Sequence, residues 1–126
     1  MGLKISNDLE NLINDLINTK INNKIIDSSG NNYIKLTDGT LICFVSTGSN
    51  SINANGSTDI NVTLPQSYKD TNYIVLVNRR GGGSYWSYIE YTSYPYSTNT
   101  IRIGCWNNVG SASSLSFNVI TIGRWK

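Results

Sequence analysis

Apolar residues are spaced in two different ways along this chain. From residue 1 to about 27, Leu and Ile recur at helical spacing, with no aromatic residue and no glycine after Gly2. Leu9, Leu12, Ile13, Leu16 and Ile17 fall on one face at 100° per residue, which predicts an amphipathic helix. Asn7, followed by Asp8 and by Glu10 at the third position, has the pattern of an N-cap. Beyond Ile17 the stripe degrades as Lys20 and Lys24 rotate onto it. A strict 4-3 reading runs Ile5, Leu9, Leu12, Leu16, Thr19, Asn23, Ile26, with late polar residues of the kind that set register and oligomer state. A helix near the ~12–15 residue limit of isolated stability must bury its stripe somewhere. Its partner is either the chain's own domain or further copies of the same helix.

Asp27-Ser28-Ser29-Gly30-Asn31-Asn32 is a run of turn formers and sets a boundary, with a helical oligomerisation segment over 1–28 and a β domain over 29–126. Short β-type runs separated by turn residues follow it. They predict strands near Tyr33–Leu36, Leu41–Thr47, Asp59–Leu64, Tyr73–Arg79, Ser84–Tyr91, Thr100–Trp106 and Leu115–Ile122. Asp38-Gly39 makes a tight turn between the first two, and Gly81-Gly82-Gly83 a hairpin between the fourth and fifth. Gly48 to Ser57, small and polar throughout, reads as an exposed loop. The fold class is an all-β antiparallel sandwich with a short N-terminal α-helix.

Composition narrows the chemistry. Charged residues make up 14% of the 126 residues, against roughly 25% in soluble proteins, and Asn, Ser, Thr and Gly take their place. Histidine is absent, which excludes Ser-His and Cys-His dyads and any His-ligated metal; no cofactor or metal is expected. Of eight acids, only Asp38, Asp59, Asp70 and Glu90 lie beyond residue 27, so a paired-carboxylate glycosidase would have to draw on those four. A net charge of +2 is too small to imply a nucleic-acid partner. No apolar run approaches the ~20 residues of a membrane-spanning helix, so no membrane insertion is expected. No basic segment followed by an apolar one opens the sequence, and no signal peptide is expected.

Three local features carry candidate chemistry. Gly81-Gly82-Gly83-Ser84 lacks the Lys and following helix of a phosphate loop and reads as a turn. Cys43 and Cys105 alternate with aliphatic residues, as buried thiols do, although facing strands within ~7 Å would permit a bridge. Tyr85, Trp86, Tyr88, Tyr91, Tyr94 and Tyr96 crowd into twelve residues, more than alternation can bury. They either rim a core or interface, or form a stacking surface for sugar rings beside Ser, Thr and Asn. In the second case the ligand-binding candidates are Arg79, Arg80, Tyr85, Trp86, Tyr88, Glu90 and Tyr94, with the Trp106-Asn107-Asn108 turn as the alternative. Trp86, Tyr88 and Glu90 share the face expected to point outward, and the two arginines would meet phosphate or carboxylate groups on a polymer.

Asn32-Tyr33-Ile34-Lys35-Leu36-Thr37-Asp38-Gly39-Thr40-Leu41-Ile42 resembles the G-Y-x-K-L-P-N-G-L-I-I-Q-W-G opening of C-terminal domains of bacteriophage tail fibres and baseplate appendages. Ile60-Asn61-Val62-Thr63-Leu64-Pro65 is similar to their V-T-F-P strand end. Phe117-Asn118-Val119-Ile120-Thr121-Ile122-Gly123-Arg124-Trp125 is similar to their terminal F-x-W-I-A-I-G-Y. The pieces come in the family's order over residues 32 to 125. Cys43-Phe44 replaces the family's Gln-Trp, Thr37 its Pro, and Val119-Ile120-Thr121-Ile122 its Trp-Ile-Ala-Ile. The resemblance implies a homotrimeric β-sandwich at the tip of a phage fibre, attaching to the host surface, with no catalytic motif carried over. It further implies a trimer stalk built on Leu9, Leu12, Ile13, Leu16 and Ile17, and reduced cysteines in a protein assembled in bacterial cytoplasm.

The leading expectation is therefore a non-enzymatic receptor-binding tip of a virion. Its partners would be a bacterial surface polysaccharide or cell-wall polymer and other tail proteins. A fibre cap without receptor, a free-standing sandwich lectin and a polysaccharide-degrading tip are the alternatives. Cell binding and release of reducing sugar separate them.

Overall fold

The computed structural model describes residues 2–22, 25–80 and 89–126, with helix side chains described over residues 6–18. Helix α1 spans Gly2–Asn22. It begins before Asn7, which therefore lies inside the helix and is not its cap. Residues 6–18 are all exposed, including the apolar stripe from Leu9 to Ile17, so the sandwich does not cover it.

Nine strands follow among the described residues: β1 (Ile26–Gly30), β2 (Tyr33–Leu36), β3 (Thr40–Ser46), β4 (Asn50–Ile52), β5 (Ser57–Thr63), β6 (Ile74–Arg80), β7 (Ile89–Pro95), β8 (Thr100–Asn107) and β9 (Ser113–Arg124). The larger antiparallel sheet is organised around the long β9. Strands β3 and β4 pair with successive parts of one edge, β6 with the other, and β2 and β1 extend the sheet beyond β3. The smaller sheet runs β5-β8-β7. Leu41, Cys43, Leu115, Phe117 and Val119 from the first sheet meet Ile60, Val62, Ile101, Ile103 and Cys105 from the second, all buried. Tyr91 turns edge-on to Phe117 across the gap, ring centroids 5.1 Å apart. This is the expected antiparallel sandwich, and its core follows the period-2 alternation of each strand.

Two local expectations are corrected, and a third falls outside the described residues. Residues 27–30, read as turn, belong to β1. This polar strand is held by its backbone ladder with β2, and only Asn31-Asn32 form the turn. An edge strand exposed on both sides needs no apolar alternation, which is why the pattern missed it. Within the expected loop 48–57, β4 pairs with β9 and buries Ile52 completely. Thr47 bridges the break between β3 and β4: its N–H donates to the Phe117 carbonyl and its Oγ1 accepts from the Phe117 N–H, both at 2.9 Å. The Gly81–Gly83 hairpin and residues 84–88 of the expected strand Ser84–Tyr91 lie outside the described residues; the described parts on either side pair β6 with β9 and β7 with β8. Strand β7 runs on to Pro95, which an edge position tolerates.

The Asp38-Gly39 turn joins β2 and β3 as expected. Gly39 has φ +96°, a left-handed conformation suited to glycine. The Asp38 carboxylate accepts the Thr40 N–H at 2.8 Å and is held below its ordinary pKa mainly by that bond. The end of the chain closes over this turn. Trp125 N–H donates to the Gly39 carbonyl at 2.9 Å, its indole to Leu36 at 3.1 Å, and Arg124 to the Asp38 carbonyl. The opening and closing motifs of the sequence thus hold each other in space.

Candidate functional site

The outer face of the smaller sheet carries the candidate site. Alternation along β8 sends Ile101, Ile103 and Cys105 inward and therefore presents Arg102, Gly104 and Trp106 outward. The register sets three rows across the sheet: Ser57–Trp106–Glu90, Asp59–Gly104–Thr92 and Asn61–Arg102–Tyr94. Gly104 has no side chain, so the middle row sinks between its neighbours. A Cβ there would lie 3.4 Å from Asp59 Oδ1 and 3.6 Å from Thr92 Cγ2. The result is an open depression of about 380 Å³ with Gly104 as floor, Trp106 and Glu90 along one rim, and Asp59 and Thr92 at its sides.

The polar groups around it are held from below. Arg102 stacks its guanidinium 3.8 Å above the Tyr96 ring and donates from Nε to Asn61 Oδ1 at 3.0 Å. Its Nη1 lies 4.0 Å from Asp59 Oδ2, a loose pair that leaves the exposed carboxylate open to other donors. The indole of Trp106 is 46% exposed, and its N–H donates to Asn108 Oδ1, which fixes the ring beside Glu90. An apolar ring face, two carboxylates, a guanidinium and hydroxyls from Ser57 and Thr92 thus share one shallow surface. That combination suits a ligand with C–H groups on one side and hydroxyls at its edge. Nothing in it resembles a metal cage, and no group of three His, Cys, Asp or Glu able to hold a metal occurs among the described residues.

Of the sequence-derived candidates, Glu90, Tyr94, Trp106 and Asn108 come together here. Asn107 does not belong with them. It is fully buried, its Nδ2 reaches the carbonyls of Ile52, Asn53 and Ser111, and its Oδ1 accepts the Val109 N–H. Its alternation partner Trp106 faces out, so Asn107 must face in. Arg79 and Arg80 are also elsewhere. They end β6 in the larger sheet, opposite Phe117 and Ser116, and do not line the depression. Tyr85, Trp86 and Tyr88 lie outside the described residues. Arg102, Gly104, Asp59 and Thr92 complete the surface although the aromatic count did not single them out, and Tyr96, which that count includes, backs Arg102. Their signal was the strict alternation of β8, which exposes Arg102 and Gly104 by the same rule that buries Cys105.

No family model matches the sequence, and comparison with curated proteins returns no relative. Solved structures do match. An N-truncated R1-type pyocin tail fibre is 19% identical with a TM-score of 0.57, over 76% of this chain and 82% of that one. A C-terminal fragment of the P. aeruginosa R1 pyocin fibre gives the same identity, TM-score and coverage of this chain, which spans 27% of that fragment.

This chain folds like part of a pyocin tail fibre.

The likeness to the pyocin fibre is one of fold, and it agrees with the resemblance of the sequence motifs to tail-fibre domains. The closing motif has a clear structural reason in this chain. At Gly123 a Cβ would lie 2.5 Å from Tyr73 Cβ and 2.9 Å from Tyr68 Cδ1. Those two rings stack at 4.2 Å and cap the core, Tyr68 donating to Thr121 Oγ1 at 2.7 Å and Tyr73 to the Ser97 carbonyl at 2.7 Å. The two cysteines are buried as separate thiols, in β3 and β8, on different sheets.

Proposed function

We propose that this chain is the receptor-binding domain of a tail fibre on a phage or phage-like particle, and that it attaches to carbohydrate on the bacterial surface without cleaving it. The observation that carries this reading is the outer face of the smaller sheet, where an exposed indole rims a glycine-floored depression lined by Asp59, Glu90 and Thr92, with Arg102 beside Asp59. Sugar rings stack on such an indole and hydrogen-bond to such a rim. The tail-fibre fold supports the setting, a virion component that meets other tail proteins at one end and a cell-wall polymer or surface polysaccharide at the other.

The active form is proposed to be a homotrimer, with the stripe Leu9, Leu12, Ile13, Leu16 and Ile17 forming its stalk. These five side chains are each about half exposed, and a helix in a protein takes most of its stability from packing such an apolar face. Three shallow sites on one trimer, repeated on several fibres, turn weak binding into firm attachment without a deep pocket.

Labelled protein binding to candidate bacteria, before and after removal of surface polysaccharide, tests the proposal. Binding lost on that removal, and lost in Trp106→Ala with its melting temperature intact, is the expected result. Unchanged binding by Trp106→Ala places the receptor site elsewhere, and absence of binding to any candidate cell supports a structural cap. Asp59 and Glu90 sit on strands flanking β8, one row apart, so release of reducing sugar is measured in parallel; release would overturn the non-enzymatic part.

A further inference from the structure

The two outer faces of the sandwich are chemically opposite. On the larger sheet, the register aligns Ile34–Ile42–Ile122–Ile74 in one row and Phe44–Ile120–Leu76 in the next. Ile74 is 60% exposed, Leu76 56%, Ile120 44% and Phe44 37%, while the other three are half-buried. Neither row contains a charged side chain, and their polar members, Ser29 opposite Ile34 and Asn32 beside Phe44, lie at the β1–β2 edge. The next row is polar, Ser46–Asn118–Asn78, with Ser46 Oγ donating to Asn118 Oδ1 at 2.9 Å. A surface with this composition offers nothing to a sugar and a good deal to another apolar surface.

We infer that this face is a second self-association surface, which meets another copy of the same chain. The inference rests on the self-association proposed for α1 and adds a surface to it. Three observations select a copy of the chain over a different partner. First, α1 carries its own uncovered stripe, so any partner must satisfy two separate apolar faces, and a copy brings both. Second, the two rows lack charge, so like surfaces meet without repulsion. Third, the area is of the right order: four sheet side chains and five helix side chains, each roughly half exposed, together approach the ≈800 Å² per partner of a stable interface. Such packing puts the larger sheet at the centre of the assembly and leaves the smaller sheet, with Trp106 and Gly104, facing outward.

Light scattering of the full chain over a concentration series reads the result. Leu76→Thr with Ile120→Thr places β-branched residues at both outward positions while making the centre of the apolar surface polar, and is expected to weaken association at least tenfold. Leu12→Asn with Leu16→Asn tests the helix separately. If the sheet variant remains folded and trimeric at wild-type concentrations, the inference is overturned while the stalk reading stands. If the sheet variant dissociates and the helix variant does not, the inference stands and the stalk reading fails. A wild type that is monomeric throughout overturns both. Should the double sheet variant fail to fold, Leu76→Thr alone is judged by the same criterion.

Discussion

Asn107 and Trp106 are neighbours in sequence with opposite roles, and a pair of substitutions separates them. Asn107 is fully buried and its amide reaches three carbonyls, of Ile52 at 3.3 Å, Asn53 at 3.1 Å and Ser111 at 2.9 Å, while its oxygen accepts the Val109 N–H at 3.0 Å. It ties the end of β8 to the β4–β5 connection and to the turn before β9. Truncation to Ala removes these bonds and leaves their backbone partners largely shielded from water. At about 1 kcal/mol per net hydrogen bond, with further cost for groups left unsatisfied, the loss is about 3–4 kcal/mol. For a chain of this size that corresponds to roughly 10–15 °C in melting temperature. Denaturant unfolding of wild type, Asn107→Ala and Trp106→Ala at one protein concentration is the assay, since association would otherwise shift the midpoints. Trp106→Ala, which uncovers an exposed indole position, is expected to stay within about 0.5 kcal/mol of wild type. A loss under about 1 kcal/mol for Asn107→Ala, or lost cell binding at unchanged stability, would refute the assignment of Asn107 to the scaffold.

Other consequences follow from the same contacts. Gly123→Ala drives a methyl into the stacked Tyr68 and Tyr73, and a loss at or above the usual 1–3 kcal/mol of overpacking is expected in denaturant melts. Burial pushes the Tyr73 hydroxyl up to about 12 and raises Tyr68 as well, so the unfolded chain loses these protons first. Stability should therefore be intact below pH 10 and fall between pH 10 and 12, and Tyr73→Phe should flatten that fall in pH-dependent melts. Burial also raises both thiols, so Cys43 and Cys105 should resist a thiol reagent at pH 8 until the chain unfolds, and reducing agent should leave the melting temperature unchanged. Gly104→Val raises the floor of the depression and should abolish cell binding with little change in melting temperature.

Much of the fold was legible because alternation reports burial. Leu41-Ile42-Cys43 and Ile101-Arg102-Ile103-Gly104-Cys105 place their inward residues as their spacing requires. The strands that escaped notice, β1 and β4, are short and mostly polar, and take their stability from pairing with β2 and β9. Sequence periodicity carries no record of such pairing. The same limit governs the candidate site. Glu90 and Tyr94 on β7 meet Trp106 because β7 and β8 pair in a particular register, whereas Arg79 and Arg80, nearer to Glu90 in sequence than Trp106 is, lie in the other sheet. The inward turn of Asn107 follows from alternation alone, which parts it from the Trp106 indole beside it in sequence.

The location of the attachment surface is tested most directly by NMR of isotope-labelled protein titrated with fragments of a surface polysaccharide from a bacterium that the protein binds. The account predicts shifts concentrated on the Trp106 indole N–H, the Arg102 Nε–H and the backbone amides of Gly104, Thr92 and Glu90, with the rows Ile34–Ile42–Ile122–Ile74 and Phe44–Ile120–Leu76 silent. Shifts confined to residues 81–88, or centred on the outer face of the larger sheet, would contradict it.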